Sequence, residues 1–259
     1  MELPSVKLVY FVFILQYLPE YFHSELFFIM APRIFITGVS GYIGGQVLHD
    51  ITAKHPGYQI RGLVRNEKQQ EEITSKYPSV QTVVGTLDST DILVEEAAQA
   101  AVVLQLADAD HNSSILSLIR GLSQGSKTRT LIQLSGAASV IDVSSGLGKP
   151  TPKIWDDITD LHEISNFDHS HGHAVTDQLA VSAGKEHGVR TAIMIPPTVY
   201  GRGEGPIKNA SMTIPWLVEA IKKRGKGFTI GEGKKHCQCD TYQRCLDRNL
   251  VFGRACTGT

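Results

Sequence analysis

Cysteine and net charge are both scarce in this chain, and each shortage narrows the functions that the protein can have. The four cysteines in 259 residues all follow His236, too few and too unevenly placed for a disulfide framework. The formal charge is −1, so no basic excess favours binding to nucleic acid or to an anionic membrane surface. Hydrophobic residues (42%) and charged residues (20%) have ordinary globular proportions, which excludes a disordered or collagenous chain.

The N-terminal segment has a different composition from the rest of the chain. Its dense apolar run, Leu8–Leu18, is shorter than the roughly 20 residues that a membrane-spanning helix needs. Lys7 precedes this run as in a signal peptide, but no small-residue cleavage site precedes Met30. We therefore expect residues 1–29 to be an extension ahead of a natural start at Met30, and the protein to be cytoplasmic. A membrane anchor and a cleaved signal are the alternatives.

From residue 31 onward, short apolar β-rich runs alternate with segments that have helical spacing. Runs that are apolar almost throughout are typical of parallel strands covered on both faces, and right-handed crossovers then give a doubly wound sheet. The sequence therefore predicts an α/β fold whose ligands lie beyond the carboxyl ends of the strands. The predicted strands are 33–38, 59–65, 80–84, 101–107, 130–134 and 191–195, and the predicted helices are 42–54, 67–77, 91–100, 113–122 and 173–187.

A glycine-rich stretch closes the first predicted strand and opens the first predicted helix. In this context Gly38 permits a tight turn, Gly41 lets the backbone approach a pyrophosphate, and Gly44 allows the helix to pack close to the strand. The start of the helix offers unpaired N–H groups to the phosphates. We expect the whole loop to bind a dinucleotide, through Gly38, Ser40, Gly41, Tyr42, Ile43 and Gly44.

The TGxxGxxG pattern of residues 37–44 resembles the extended short-chain dehydrogenase/reductase superfamily of epimerases, dehydratases and reductases. The resemblance extends from about residue 32 to about residue 233 and includes PPTVYG at 196–201 and two segments, 214–217 and 225–233, similar to a substrate-lobe helix and hairpin. It implies a Rossmann domain at 30–201 and a small, truncated substrate lobe at 202–233. Residues 234–259, which contain the cysteines, form an atypical tail.

The end of the second strand indicates which cofactor is bound. NAD selectivity commonly uses an acidic residue there, whereas this chain has Arg65, which can pair with a 2′-phosphate. We therefore expect NADP, with NAD as the alternative. The resemblance also places Leu87 near the adenine and Ala107 near the adenosine ribose. It places Pro197, Thr198 and Val199 around the nicotinamide.

The catalytic Tyr–Lys pair of the superfamily, YxxxK, is not retained. When the acid that follows this motif is aligned with Asp177, His169 takes the tyrosine position and His173 the lysine position. His169 is then a candidate general acid or base and His173 a ribose contact, while Ser135 stands near the residue that polarises the substrate carbonyl. The resemblance implies a short Ser/Thr run at that point, where Gly136 and Ala137 follow Ser135 instead. The alternation of His169, His171 and His173 could suit a metal, but a polar loop explains it more simply, and we expect no metal.

Two classes of function remain open. The first is an NAD(P)-binding oxidoreductase or epimerase-like enzyme that acts on a small carbonyl or alcohol, with a homodimer possible and no nucleic-acid or membrane partner. The second is a non-catalytic NADP-binding sensor, or a cofactor-binding remnant, because both catalytic residues of the motif are replaced.

Overall fold

The computed structural model describes residues 31–126, 129–141, 146–149 and 153–231. The predicted extension 1–29 and tail 234–259, with all four cysteines, lie outside these residues. The strands are β1 (Arg33–Thr37), β2 (Gln59–Val64), β3 (Gln81–Val84), β4 (Val102–Gln105), β5 (Thr130–Leu134) and β6 (Arg190–Met194). The helices are α1 (Tyr42–Lys54), α2 (Glu67–Lys76), α3 (Thr90–Gln99), α4 (Asn112–Ser123), α5 (Leu161–Ser165), α6 (Ala174–Glu186) and α7 (Thr213–Arg224).

The six strands form one parallel sheet in the order β3-β2-β1-β4-β5-β6. β1 lies between β2 and β4, and Ile36 is aligned with Gly62 on one side and Leu104 on the other. Strands β1 to β3 are added towards one edge of the sheet, and β4 to β6 are added towards the other edge. This change leaves a crevice at the carboxyl ends of the adjacent strands β1 and β4. The predicted doubly wound Rossmann fold is confirmed.

Each face of the sheet is covered by its own helices, and β1 contributes to both cores. Ile34 and Ile36 face one core, Phe35 faces the other, and all three are fully buried. The first core contains residues from α1 and α2, and the second contains residues from α3, α4 and α6. Burial of each such side chain contributes about 1.5–3 kcal/mol, so the two cores hold the strand ends in place at the crevice.

Three local features differ from the sequence-based expectation. Helix α6 begins at Ala174 because His173 adopts a left-handed conformation (φ 64°) that ends the helix on that side. Helix α5 (Leu161–Ser165) was not predicted, and it has no buried residue that would produce an apolar pattern. The segment similar to a hairpin contains no strand within its described part, residues 225–231.

The C-terminal described segment packs differently from the Rossmann core. None of the residues of α7 (Thr213–Arg224) is buried, although Trp216 and Leu217 are apolar. A separate lobe beginning at residue 202 therefore stays a prediction. Within the described ranges, no helix combines the length and apolar character needed to cross a membrane.

Candidate functional site

The loop between β1 and α1 is held by close main-chain contacts. Gly38 has φ 79°, and a Cβ on it would lie 2.7 Å from the carbonyl carbon and oxygen of Leu106. A Cβ on Gly44 would overlap the carbonyl oxygen of Gly38. Two of the three predicted glycines are therefore required by packing, and they hold the start of α1 against the ends of β1 and β4.

The N-terminus of α1 is uncapped and faces the crevice. Gly41 occupies the N-cap position in an extended conformation (φ −78°, ψ 172°), and no side chain caps the helix. The described residues provide no acceptor for the main-chain N–H groups of Tyr42, Ile43 and Gly44, and no acidic residue lies in the first turn. Three unpaired donors at the positive end of a helix dipole form an anion-binding site. The residues present therefore fit a dinucleotide pyrophosphate.

The end of β2 places a cation beside this loop. Arg65 is exposed, and its guanidinium has no hydrogen bond or ion pair within the described part of the chain. Its main-chain N–H donates to Gln69 Oε1 (3.0 Å), and Asn66 caps α2 by accepting from the Gln69 N–H (3.0 Å). The main chain at this position is therefore fixed, while the charged side chain is available to a ligand.

A buried polar network joins the ends of β1 and β4. The Thr37 hydroxyl donates to Gln105 Oε1 and accepts from the Leu106 N–H (3.2 Å). The Gln105 amide in turn accepts from the Ala107 N–H (3.2 Å) and donates to the Asp108 carbonyl (2.9 Å). This network orients the loop that contains Ala107, which is itself exposed.

The predicted adenine and nicotinamide contacts lie in loops that follow the two edge strands of the sheet, β3 and β6. Leu87, after β3, is half-buried against the second core. Pro197, Thr198 and Val199, after β6, are all partly buried. The main chain beyond them is tied to α1, because the Tyr42 hydroxyl donates to the Gly201 carbonyl (3.1 Å). Burial raises the pKa of Tyr42 to about 12, so its phenol remains a neutral donor.

Ser135, at the end of β5, belongs to a buried polar cluster. Its hydroxyl donates to Asp177 Oδ2 (2.7 Å) and contacts the Ser139 hydroxyl (3.0 Å), and it is only 5% exposed. Burial raises the pKa of Asp177, opposed by the hydrogen bond from Ser135 and by nearby His173. The single hydrogen of the Ser135 hydroxyl is thus directed at Asp177, so this geometry favours a role in orienting β5 relative to α6.

His173 lies against Gly136 and is paired with an acid that the sequence pattern does not single out. Its Nδ1 lies 2.8 Å from Asp110 Oδ1, in the loop after β4. Its Nε2 faces Gly136, where a Cβ would come within 2.8 Å of that nitrogen. The only signal for Asp110 was its place at the carboxyl end of a strand, where ligand-binding residues collect.

His169 is not brought into this group. It is exposed, and no hydrogen bond or ion pair joins it to Ser135, Asp110 or any other described residue. His171 lies between the two histidines but stacks on Phe167 (ring centroids 4.1 Å apart), and its Nδ1 contacts the Ser139 carbonyl (2.8 Å). The three histidines therefore have separate environments, and the described residues contain no cluster suited to a metal.

Comparison with known proteins places this site in a family. Residues 34–238 match the model of the NAD dependent epimerase/dehydratase family. The chain belongs to that family. It is 32% identical over 215 residues to the oxidase ucsJ of Acremonium sp, a match that covers 79% of this chain and 61% of that protein. It is 24% identical over 215 residues to the 4-hydroxy-2-methyl-3-oxo-4-farnesyl-3,4-dihydroquinoline-1-oxide ketoreductase of Stigmatella aurantiaca, covering 79% and 59%. The matches span about three fifths of the length of these relatives.

Solved structures share the fold of this family member. The dTDP-glucose 4,6-dehydratase of Bacillus anthracis, in complex with NAD, has a TM-score of 0.52 at 19% identity, covering 76% of this chain and 63% of that one. WbmG of Bordetella bronchiseptica, in complex with NAD and UDP, has a TM-score of 0.53 at 14% identity, covering 77% and 62%. At these identities the likeness establishes the Rossmann architecture alone.

Proposed function

We propose that this protein is an NADP(H)-dependent oxidoreductase that acts on a small carbonyl or alcohol. The uncapped N-terminus of α1 behind the glycine loop carries this proposal, because its unpaired N–H groups fit a pyrophosphate. Family membership supports a nicotinamide cofactor, and two relatives are named as an oxidase and a ketoreductase. The reduced cofactor supplies a hydride when bound.

The preference for NADP rests on the end of β2. Arg65 is exposed, without a partner in the described residues, and the neighbouring Asn66 is occupied as the cap of α2. A guanidinium there favours the 2′-phosphate that distinguishes NADP from NAD.

The remaining contacts follow from the resemblance to the superfamily. In this proposal the loop residues Gly38, Ser40, Gly41, Tyr42, Ile43 and Gly44 bind the pyrophosphate. Leu87 and Ala107 contact the adenosine, while Pro197, Thr198 and Val199 contact the nicotinamide. The substrate is a small molecule that enters beside the predicted lobe at 202–233.

Calorimetric titration with NADPH and NADH tests the cofactor assignment. Loss of one charge-assisted hydrogen bond costs about 1.5–3 kcal/mol, so Arg65→Ala should weaken NADPH binding roughly 10- to 150-fold and leave NADH binding nearly unchanged. Arg120→Ala is the matched control, because Arg120 is an exposed arginine in the last turn of α4. An equal loss of affinity for both cofactors would show that Arg65 has a structural role instead.

A non-catalytic NADP-binding sensor is the second candidate. It is favoured by the replacement of the tyrosine and lysine of YxxxK by His169 and His173. A hydride-transfer assay across a set of carbonyl compounds separates the two candidates. A sensor would bind NADPH without oxidising it in the presence of any of these compounds.

A further inference from the structure

Two residues that differ from the family pattern lie next to each other in the structure. Gly136 stands where the resemblance leads us to expect a serine or threonine, and His173 stands where it leads us to expect the lysine. The imidazole of His173 lies against Gly136 so closely that a Cβ on the glycine would be 2.8 Å from Nε2. A side chain at position 136 would therefore displace the imidazole, and the absence of one leaves room for the histidine in this position.

Asp110 orients this imidazole from the other side. Its Oδ1 lies 2.8 Å from His173 Nδ1, and its main chain is held by a hydrogen bond from its N–H to Asp108 Oδ1 (2.9 Å). A carboxylate at this distance keeps the proton of a neutral imidazole on Nδ1 and leaves Nε2 as the nitrogen that exchanges a proton. Within the described chain, Nε2 has no hydrogen-bond partner.

The position of His173 suits proton exchange with a bound substrate. It lies at the carboxyl edge of the sheet, between the loop after β4 and the end of β5, and its side chain is 21% exposed. Partial exposure lets solvent restore a proton after it has been given away. His173 is held in a left-handed conformation with φ 64°, the one non-glycine residue of the described part with positive φ. Such backbone strain is characteristic of functional sites.

We propose that His173, oriented by Asp110, is the general acid/base of this protein and replaces the catalytic tyrosine of the superfamily. The proposal rests on the proposed NADP(H)-dependent oxidoreductase function. In the reductive direction, His173 Nε2–H donates its proton to the carbonyl oxygen as the carbonyl carbon accepts hydride from the reduced nicotinamide. The C=O π bond breaks, C–H and O–H bonds form, the nicotinamide is oxidised, and His173 is left neutral with its remaining proton on Nδ1, facing Asp110. Asp110 is a positioning residue.

Four proteins test this assignment: the full-length wild type, His173→Asn, Asp110→Ala and the matched control His169→Asn. Asparagine is chosen at position 173 because it tolerates the left-handed conformation better than most residues. Each protein is titrated calorimetrically with NADPH. NADPH oxidation is then followed with nitrobenzaldehyde, ethyl pyruvate and cyclohexanone as probes. Thermal melting checks that each variant is folded.

We expect His173→Asn to lower turnover by about 10²–10⁴-fold, the usual contribution of a positioned acid/base, with NADPH affinity within about twofold of wild type. His169→Asn should retain wild-type turnover and binding. Asp110→Ala should reduce the turnover number more than it changes KM, because His173 stays in place but loses the carboxylate that orients its imidazole.

A spectroscopic measurement tests the role of Asp110 without any substrate. In proton–nitrogen correlation spectra of isotope-labelled histidine, the signal of His173 is the one absent from His173→Asn. We expect wild-type His173 in the Nδ1–H tautomer when neutral, and a shift towards the Nε2–H tautomer in Asp110→Ala. A tautomer that is the same in both proteins would overturn the positioning role.

The kinetic outcomes separate the inference from the proposed function. If the wild type does not bind NADPH, both the proposed function and the acid/base role of His173 fail. If the wild type binds NADPH but oxidises it with none of the probes, or if turnover survives in His173→Asn, the acid/base role is overturned and cofactor binding stands. If NADPH affinity and turnover fall in parallel in His173→Asn, His173 is a ribose contact and the inference fails.

Discussion

The loop after β1 and the cluster after β5 lie at the same edge of one sheet, but they are built from different chemical groups. The first offers main-chain N–H groups of Tyr42, Ile43 and Gly44, all within one turn of helix. The second brings together side chains from separate segments, and Asp110 and His173 are 63 residues apart.

This difference in chemical groups determines which substitutions each site tolerates. A main-chain site requires small residues at set spacings and depends little on which side chains surround it. A side-chain site can change its residue types, provided that neighbouring residues leave room for the new side chain, as Gly136 does for His173 here. The first site therefore keeps its family pattern while the second departs from it.

The largest expected effect is on the main-chain site. Gly44→Ala would place a methyl group onto the Gly38 carbonyl oxygen, where backbone faces backbone and neither can move easily. We expect a loss of about 3 kcal/mol in the free energy of unfolding, measured by urea denaturation. The matched control is Gly57→Ala, at an exposed turn where a Cβ would meet nothing within 4 Å. If the two variants unfold at the same urea concentration, the close approach at Gly44 is not essential.

Gly41→Val separates binding from packing at the same loop. The extended conformation of Gly41 suits valine, but a Cβ there would lie 3.1 Å from the Gly38 carbonyl oxygen, a tight contact, so stability should fall by about 1–2 kcal/mol, less than in Gly44→Ala. The branched side chain would occupy the space in front of the helix N-terminus. We expect NADPH affinity to fall at least about 100-fold, or about 2.7 kcal/mol, in calorimetric titration. Unchanged affinity would contradict the phosphate-loop assignment.

Thr37→Val tests the buried polar network that joins the ends of β1 and β4. The substitution keeps the shape of the side chain but leaves the buried Leu106 N–H without its acceptor. We expect a loss of about 2 kcal/mol in the free energy of unfolding, within the range for an unsatisfied buried donor. Thr130→Val, on β5, is the control and should change it by less than about 0.5 kcal/mol. Similar losses in both variants would attribute the effect to side-chain packing alone.

Tyr42→Phe should have the smallest effect, and that effect depends on pH. At neutral pH the variant loses one hydrogen bond to the Gly201 carbonyl, worth about 1 kcal/mol. Because burial raises the pKa of Tyr42 from 10.0 to about 12, the neutral phenol stabilises the folded state below pH 10, and this contribution is lost as pH rises through about 12.

The measurement for Tyr42→Phe is denaturation at a series of pH values. Wild-type stability should fall more steeply than that of the variant between about pH 10 and pH 12. Tyr77, whose pKa burial and nearby Glu204 and Asp50 also raise to about 12, remains in both proteins and accounts for the shared part of the fall. Parallel curves would show that Tyr42 is not the group responsible.

The amino-acid sequence by itself determined the sheet and the glycine loop. Strand and helix periodicity is local, and α1 has the predicted bounds Tyr42–Lys54. The loop after β1 could also be predicted from the sequence, because it offers main-chain N–H groups and a short run of glycines is enough to indicate such a loop. Only the tertiary structure decided that His173 and not His169 lies against Gly136, and that Asp110 is its partner. The physical reason is that spacing along the chain fixes relative positions only where the backbone is regular, whereas His173 precedes α6 in a left-handed conformation and the loop before it is irregular. His169 lies in this loop, where it is exposed.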